Sequence, residues 1–150
     1  MRVVLQRVLQ ASVSIGGELR SEIGPGLLLL VGIGRNDTSA DLSWMSRKIP
    51  QLRIYEDEAA KMNLSVRDIG GSILAVSQFT LYGDVSRGNR PGFSGSAPFD
   101  EARELFDRFV ELLRREAGCR IETGSFGADM LVSLVNDGPV TLILESPQQP

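Results

Sequence analysis

Apolar and polar residues alternate along the start of the chain in the pattern of antiparallel strands. The alternation covers residues 2–8, 12–15 and 18–23, and Gly16-Gly17 supplies a two-residue hairpin signal between the last two. Residues 27–33 form a continuous apolar run, which predicts a short strand buried on both faces. The chain is therefore expected to open as a β-meander.

The first of two segments with a helical period begins after N-cap candidates at residues 37–39. Leu42, Met45 and Ile49 then recur near helical spacing, which indicates one apolar face. Pro50 would remove a helical hydrogen bond and clash with the preceding turn, so we expect this helix to end or kink just before it.

The second helical segment is the clearest in the sequence. Pro98 opens it, Ser96 or Ala97 is its predicted cap, and Gly118 follows it as a typical C-terminal residue. Its predicted apolar stripe comprises Phe99, Ala102, Leu105, Phe106, Phe109, Val110, Leu112 and Leu113.

The remaining segments are predicted to be strands and loops. Residues 52–55 and 72–79 have the composition of strands, and residues 57–68 that of a polar loop. Residues 84–97 form a long loop of the kind that often carries function. Three or four further strands are expected after the second helix.

Composition indicates the class of protein. Of the 150 residues, 42% are apolar and 23% charged, which is typical of a globular domain. We predict a single α+β domain over residues 1–145, with antiparallel-rich sheets in a meander or barrel-like arrangement and two main helices. Residues 146–150 are expected to be a frayed tail.

Several kinds of chemistry are excluded by what the sequence lacks. Without histidine there is no Ser-His-Asp triad, no Cys-His pair and no imidazole base, and a zinc site would have poor ligands. The net charge of −3 disfavours a broad duplex-binding face. A single cysteine, Cys119, fits a reducing compartment, and no apolar run is long enough to span a membrane. We therefore expect a cytoplasmic protein with no metal and no cofactor.

Residues 77–81, Ser-Gln-Phe-Thr-Leu, end a predicted strand and enter a glycine-containing loop. Gln78 offers an amide donor and Thr80 a hydroxyl, and neighbouring backbone N–H groups could stabilise an oxyanion. Without a base beside it, Thr80 would be a weak nucleophile. An ordinary half-buried strand explains the same residue types.

Residues 136–141, Asn-Asp-Gly-Pro-Val-Thr, lie between two apolar runs. Gly138 accepts most backbone conformations and Pro139 fixes its own φ, so this step could aim main-chain carbonyls at a substrate. On residue types alone, a turn between two strands is the commoner outcome. Arg87 and Arg90, in the long loop, could bracket an anionic group such as a phosphate or could simply be solvated.

Taken together, the two stretches resemble the signature motifs of the D-aminoacyl-tRNA deacylases. The resemblance covers nearly the whole chain, and its other parts are Arg2-Val3-Val4-Leu5-Gln6-Arg7-Val8, Lys61-Met62-Asn63, Arg90-Pro91-Gly92-Phe93 and Asp129-Met130. Either motif alone is weak, but their order and spacing in a chain of this length are specific. The implied fold is the α+β fold of that family.

The resemblance implies a homodimer that hydrolyses the ester between a D-amino acid and the 3′ end of tRNA. It implies a cis Gly138–Pro139 peptide that enters the partner's active site, selects chirality through its backbone and is held by Arg7. The residues assigned to the pocket for the ester and terminal adenosine are Ser77, Gln78, Phe79 and Thr80, with Leu81, Met130 and Asn136 as further substrate contacts. Ser77, Gln78 and Thr80 are the catalytic candidates, and the terminal 2′-hydroxyl of the tRNA is the rival to Thr80.

Glycine has no Cβ, so the implied selector would also admit glycyl-tRNA, including glycine mischarged on tRNA(Ala). Two other functions stay open. A related deacylase clears L-alanine, but it goes with a trans Gly-Pro step and a different stretch in place of residues 77–81. The other is a non-catalytic dimeric protein that binds the tRNA 3′ end.

Overall fold

Eight strands and two α-helices make up residues 1–147, the part of the chain that the computed structural model describes. The strands are β1 (Arg2–Ile15), β2 (Glu18–Ile23), β3 (Gly26–Gly32), β4 (Tyr55–Glu56), β5 (Met62–Leu64), β6 (Ser72–Ser77), β7 (Arg120–Thr123) and β8 (Leu131–Glu145). The helices are α1 (Ser39–Gln51) and α2 (Phe99–Ala117), and a 3₁₀ turn spans Phe79–Tyr82. The predicted α+β class with two main helices is confirmed.

The main sheet has the strand order β2-β1-β3-β6-β7, and β8 also pairs with β1. β1 is antiparallel to β2, β3 and β8, whereas the β3–β6 and β6–β7 pairs are parallel. The opening is not a simple meander, because β3 returns to pair with β1 rather than with β2. A central position suits β3, since its continuous apolar run must be buried on both faces.

Side chains of β3 alternate between two cores on opposite faces of the sheet. Leu27 and Leu29 belong to the larger core, which α1 and α2 cover, whereas Leu28 belongs to a smaller core with Leu74 and Val76. All five side chains are almost completely buried. The prediction of a strand buried on both faces is confirmed.

The first helix is longer than predicted. α1 continues through Pro50, and the Leu52 N–H donates to the Ile49 carbonyl (3.2 Å) to close its end. A proline in the last turn removes one hydrogen bond without interrupting the turns before it. Pro50 is also buried, so its ring contributes to packing.

The N-cap of the second helix lies one or two residues later in the sequence than predicted. Pro98 is the N-cap residue, in place of Ser96 or Ala97, and its side chain makes no capping hydrogen bond. Gly118 ends the helix with a φ of 62°, a left-handed conformation that favours glycine.

Three predicted details of the strands and loops are wrong. Residues 57–68 are not all loop, because β5 pairs with β4. The strand expected over residues 52–55 begins only at Tyr55. In residues 1–147 two strands, rather than three or four, follow α2, since β8 runs through residues 136–141 without a turn.

Ser146, the first residue of the predicted frayed tail, is hydrogen-bonded to the start of the chain. The Ser146 N–H donates to the Met1 carbonyl (2.9 Å), which continues the pairing of β8 with β1. Residues 148–150, the rest of the predicted tail, lie outside the described residues. No helix in residues 1–147 is long and apolar enough to cross a membrane.

Candidate active site

Residues 137–140 leave the ladder between β1 and β8 as a four-residue bulge. β8 is paired with β1 on both sides of this bulge, so its four residues lie opposite Arg7 alone. The Gly138–Pro139 peptide within the bulge is cis, and both residues are exposed. The stretch is therefore neither a turn between two strands nor ordinary strand, and it presents main chain at the surface.

Arg7 supports this bulge from inside the protein. Only 7% of Arg7 is exposed, and its guanidinium donates from Nε to the Asp137 carbonyl (3.2 Å) and from Nη1 to the Ile54 carbonyl (2.6 Å). Nε also lies 3.2 Å from the Asp137 carboxylate, and the Tyr55 ring centroid is 5.8 Å from the guanidinium carbon. A buried guanidinium with several fixed partners is a rigid support for the chain it binds.

Asn136 closes the base of the bulge. Its Nδ2 donates to the carbonyls of Arg7 (3.0 Å) and Val140 (3.1 Å), which ties the two ends together. Within the bulge, Gly138 has a φ of 121°, and a Cβ there would lie 2.9 Å from both Arg7 Nη2 and Val140 Cγ2. Backbone conformation and lack of space therefore both require glycine at this position.

A second group of predicted site residues lines a cavity of about 720 Å³. Ser77 ends β6, Gln78 follows it, Phe79 begins the 3₁₀ turn, and Met130 precedes β8. The Gln78 N–H donates to the Val31 carbonyl (2.7 Å), which fixes the backbone where the strand ends. Met130 is thus a cavity residue as well as a packing residue. None of residues 136–140 lines this cavity.

Two aromatic pairs form walls of the cavity. Phe79 and Phe93 meet edge to face with ring centroids 5.0 Å apart, and Phe99 and Phe126 do so at 5.3 Å. Phe99 was predicted to lie in the apolar stripe of α2, but it is 55% exposed and lies at the cavity instead. Such walls suit the faces of a nucleobase or an apolar side chain.

Phe126 is a cavity residue for which the sequence offers little signal. The glycines at positions 124 and 127 flank it and mark a stretch where the backbone must approach other groups closely. The structure bears this out at Gly127, since a Cβ there would lie 2.7 Å from the Phe99 ring.

Thr80 and Leu81 do not line the cavity. Thr80 is exposed, and its Oγ1 accepts a hydrogen bond from the Gln78 side-chain amide. The Leu81 carbonyl accepts a hydrogen bond from Arg2 Nη1 (2.7 Å). Among residues 1–147, no carboxylate or amine is hydrogen-bonded to the Thr80 hydroxyl, so nothing there activates it as a nucleophile.

The long loop brings one of its candidates to the cavity and leaves two outside. Asp84 and Gly92 exchange backbone hydrogen bonds of 2.8 and 2.9 Å, which close residues 84–92 into a hairpin-like loop. Phe93 lines the cavity, whereas Arg87 and Arg90 are exposed and do not.

Two further side chains with reactive groups, the thiol of Cys119 and the phenol of Tyr82, are neutral near physiological pH. Burial raises the pKa of the Cys119 thiol, although the charge of Arg67 opposes this. Burial also raises the pKa of Tyr82 to about 12. In residues 1–147, no group of three Cys, Asp or Glu side chains is arranged to hold a metal ion. The cavity thus presents hydroxyls, an amide and main-chain groups, together with the charged side chains of Arg35 and Asp129.

Known proteins resemble this chain over its whole length. Residues 4–145 match the family model described as D-Tyr-tRNA(Tyr) deacylase. A D-aminoacyl-tRNA deacylase of Chlorobaculum tepidum is 72% identical over 150 residues and covers 100% of both chains. One of Desulfitobacterium hafniense is 57% identical over 146 residues, or 97% of each chain.

Solved structures share the fold. A c-Myc DNA unwinding element binding protein matches with a TM-score of 0.93 and 47% identity, over 99% of this chain and 100% of that one. A probable eukaryotic D-amino acid tRNA deacylase matches with a TM-score of 0.79 and 20% identity, over 95% and 97%.

Proposed function

This chain belongs to the D-Tyr-tRNA(Tyr) deacylase family, and we propose that it reads the amino acid with the main chain of the bulge and binds the tRNA end in the aromatic cavity. It is a D-aminoacyl-tRNA deacylase, a carboxylic ester hydrolase of translation quality control. The observation that carries the proposal is the bulge itself, in which exposed Gly138 follows Asp137, the residue that buried Arg7 binds.

We propose that chirality is selected by main-chain carbonyls of the bulge. Carbonyl oxygens would bind the α-ammonium group of the substrate in one orientation, and the surrounding main chain would leave space for a side chain on one hand only. An L-amino acid is then rejected by steric clash, whatever its side chain. Glycine has no Cβ to clash, so glycyl-tRNA, including glycine mischarged on tRNA(Ala), is an expected substrate.

We propose that the active site is completed by a second copy of the chain. The bulge does not line the cavity of its own chain, so a homodimer would allow the bulge of one subunit to enter the cavity of the other. β8 also exposes large apolar side chains, with Leu131 72% and Ile143 71% exposed. Exposed apolar residues clustered on one strand are typical of a surface that another protein covers.

The catalytic step is proposed to use the substrate's own hydroxyl. An aminoacyl ester is already activated, so a correctly oriented 2′-hydroxyl at the tRNA terminus could position a water molecule without a side-chain nucleophile. The water would attack the carbonyl carbon and the bond to the 3′ oxygen would break. The 2′-hydroxyl would pass the proton of the water to that oxygen, which leaves as the 3′-hydroxyl of the free tRNA. Ser77 and Gln78 would orient the ester, and Thr80 would hold the Gln78 amide in place. Backbone N–H groups at the start of the 3₁₀ turn are available to the developing oxyanion.

The setting and the rival functions follow from the same features. Aminoacyl-tRNA is used in the cytoplasm, so we expect this enzyme to act there. The net charge of −3 disfavours DNA binding as a second function, because binding along a duplex depends on many Lys and Arg contacts to phosphate. A non-catalytic protein that binds the tRNA end is the rival that the missing base favours.

The test is release of amino acid from D-Tyr-tRNA(Tyr), L-Tyr-tRNA(Tyr) and L-Ala-tRNA(Ala) by the purified protein. We expect release from the first and none above background from the other two. Binding of D-Tyr-tRNA without release would identify a binding protein. Release of L-alanine alone would identify the related L-alanine deacylase.

A further inference from the structure

Arg103, on the second turn of α2, lies over two rings of the cavity wall. Its guanidinium carbon is 5.0 Å from the centroid of the Phe99 ring and 5.9 Å from that of Phe126. The two rings meet each other edge to face at 5.3 Å. Arg103 belongs neither to the motifs shared with the deacylase family nor to the apolar stripe of α2. The structure places its charge beside the cavity.

The position of the guanidinium is fixed by neighbouring groups. Gly127 has a φ of 77°, and a Cβ there would lie 2.7 and 2.9 Å from two atoms of the Phe99 ring. Glycine at this position therefore lets the tip of the Phe99 ring approach the backbone closely, while Phe126 and Arg103 contact the same ring. Cation–π contact restricts the guanidinium to the ring face while its N–H groups stay at the edge of the plane.

The charge of Arg103 is not neutralised within the described chain. The ion pairs in residues 1–147 are those of Met1 with Asp37, Arg2 with Glu145, Arg7 with Asp137 and Arg120 with Glu122. Asp100 and Asp107 are near Arg103 on the same helix, yet neither comes within ion-pair distance of it. An exposed, oriented guanidinium with free donors is a preformed site for one anion.

We propose that Arg103 binds the phosphate that joins the terminal adenosine of the tRNA to the nucleotide before it, which rests on the proposed function of the cavity. With the ester at Ser77 and Gln78 and the adenosine between the aromatic walls, the 5′ side of the ribose must leave the cavity past a wall. That phosphate is the first fixed negative charge on the path. Arg35 also lines the cavity, but within residues 1–147 its guanidinium lies over no aromatic ring.

The test compares three esters, of which the first two differ only at this phosphate. They are D-tyrosyl adenosine without a phosphate, the same ester with a 5′-phosphate, and D-Tyr-tRNA(Tyr). For Arg103→Gln we expect KM to rise about tenfold for the two esters that carry the phosphate, the loss of one charge-assisted hydrogen bond. We expect KM for D-tyrosyl adenosine without the phosphate to stay at the wild-type value. We expect the same of kcat for all three esters.

Salt dependence provides a readout that a packing role would not change. Loss of one phosphate contact lowers the slope of log KM against log salt by about 0.7 for single-stranded nucleic acid. Arg108→Gln removes the same charge from an exposed position of the same helix and serves as the matched control. Arg103→Lys keeps the charge but loses the planar stack, so it restores part of the affinity.

The outcomes separate this site from the function of the cavity. Equal effects of Arg103→Gln on esters with and without the phosphate would overturn the phosphate site while leaving the deacylase function intact. The same holds if Arg108→Gln raises KM as much as Arg103→Gln does. If the wild-type protein cleaves none of the three esters, the proposed function fails and the phosphate site fails with it.

Discussion

Gly138 is the residue at which one added methyl group has the largest predicted effect. A Cβ would lie 2.9 Å from Arg7 Nη2 and from Val140 Cγ2, at a φ of 121° that L-residues rarely adopt. We expect Gly138→Ala to keep the fold and to lower D-Tyr-tRNA deacylation by about tenfold or more, the equivalent of 1–3 kcal/mol of local strain.

The measurement is the deacylation rate with D- and L-Tyr-tRNA, alongside thermal unfolding. Gly24→Ala is the matched control, since Gly24 has open space around it and no left-handed φ. Unchanged rates in Gly138→Ala would show that the bulge backbone does not read the substrate.

Thr80 tests which hydroxyl performs the chemistry. Its Oγ1 accepts from the Gln78 amide and has no base as a hydrogen-bond partner in residues 1–147. We expect Thr80→Ala to retain activity within about tenfold, since only an orienting hydrogen bond is lost. D-Tyr-tRNA ending in 2′-deoxyadenosine should instead lose nearly all reactivity. A loss of several orders of magnitude in Thr80→Ala, with the fold intact, would make Thr80 the nucleophile.

Sequence alone predicts single residues unevenly. Arg7, Gly138 and Pro139 could be found because a Gly-Pro step and a paired motif are visible in the sequence. Phe99 could not, because helical period assigns an apolar residue at a helix start to the core, whereas the cavity lies there instead. The burial of Arg7 depends on Ile54 and Asp137, which are distant in sequence.

At the scale of elements, the bulge shows what residue types cannot reveal. Asn, Asp, Gly and Pro together favour a turn, yet both halves of β8 pair with β1 in the same direction. Whether residues of these types reverse the chain or only bulge out of a strand depends on which strand they pair with, here β1. Most strands of the main sheet could therefore be predicted from alternation and apolar runs, whereas β5, the strand pairing and the number of strands after α2 could not.

The start of α1 makes stability depend on pH. The Asp41 carboxylate accepts from the Thr38 N–H (2.7 Å) and hydroxyl (2.9 Å). Burial acts to raise the pKa of Asp41, but hydrogen bonds from Ser146 and Thr38 outweigh it and lower that pKa below the usual value. The resulting stabilisation is complete above the unfolded pKa of about 3.9 and is lost as pH falls through the folded pKa.

We therefore expect Asp41→Asn to lower the free energy of unfolding by about 1 kcal/mol at neutral pH. The gap to wild type should begin to close as the pH falls below about 4, where Asp41 becomes protonated in the unfolded chain, and should be lost as the pH falls through the lower pKa of the folded protein. Denaturant unfolding across this pH range measures it, with the exposed Asp107→Asn as control. A gap that stays constant with pH would contradict the assignment to this carboxylate.

At the scale of the whole molecule, the separation of bulge and cavity can be tested by mixing two defective proteins. Gln78→Ala impairs the cavity, and Gly138→Ala impairs the bulge. If each site combines the cavity of one subunit with the bulge of the other, a mixed dimer contains one intact site. Random reassociation of equal amounts should then restore about a quarter of wild-type activity, since half of the dimers are mixed.

Each variant unfolded and refolded alone is the control for this experiment. Activity that stays at the average of the two variants would place the complete site within one subunit. A solution mass equal to that of a monomer at the assay concentration would contradict the homodimer itself.

The pairing of β1 with β8 also determines when this enzyme can begin to work. These strands are adjacent in the sheet but lie far apart in the sequence. Arg7 is synthesised well before residues 137–140, and the edge of β1 that pairs with β8 has no partner until β8 has left the ribosome. Long-range pairing of this kind delays folding until the distant partner is present. Each new molecule would therefore acquire the proposed chiral selector only after β8 has been made, and a chain stalled before β8 would have β3 and β6 of the cavity but not the bulge.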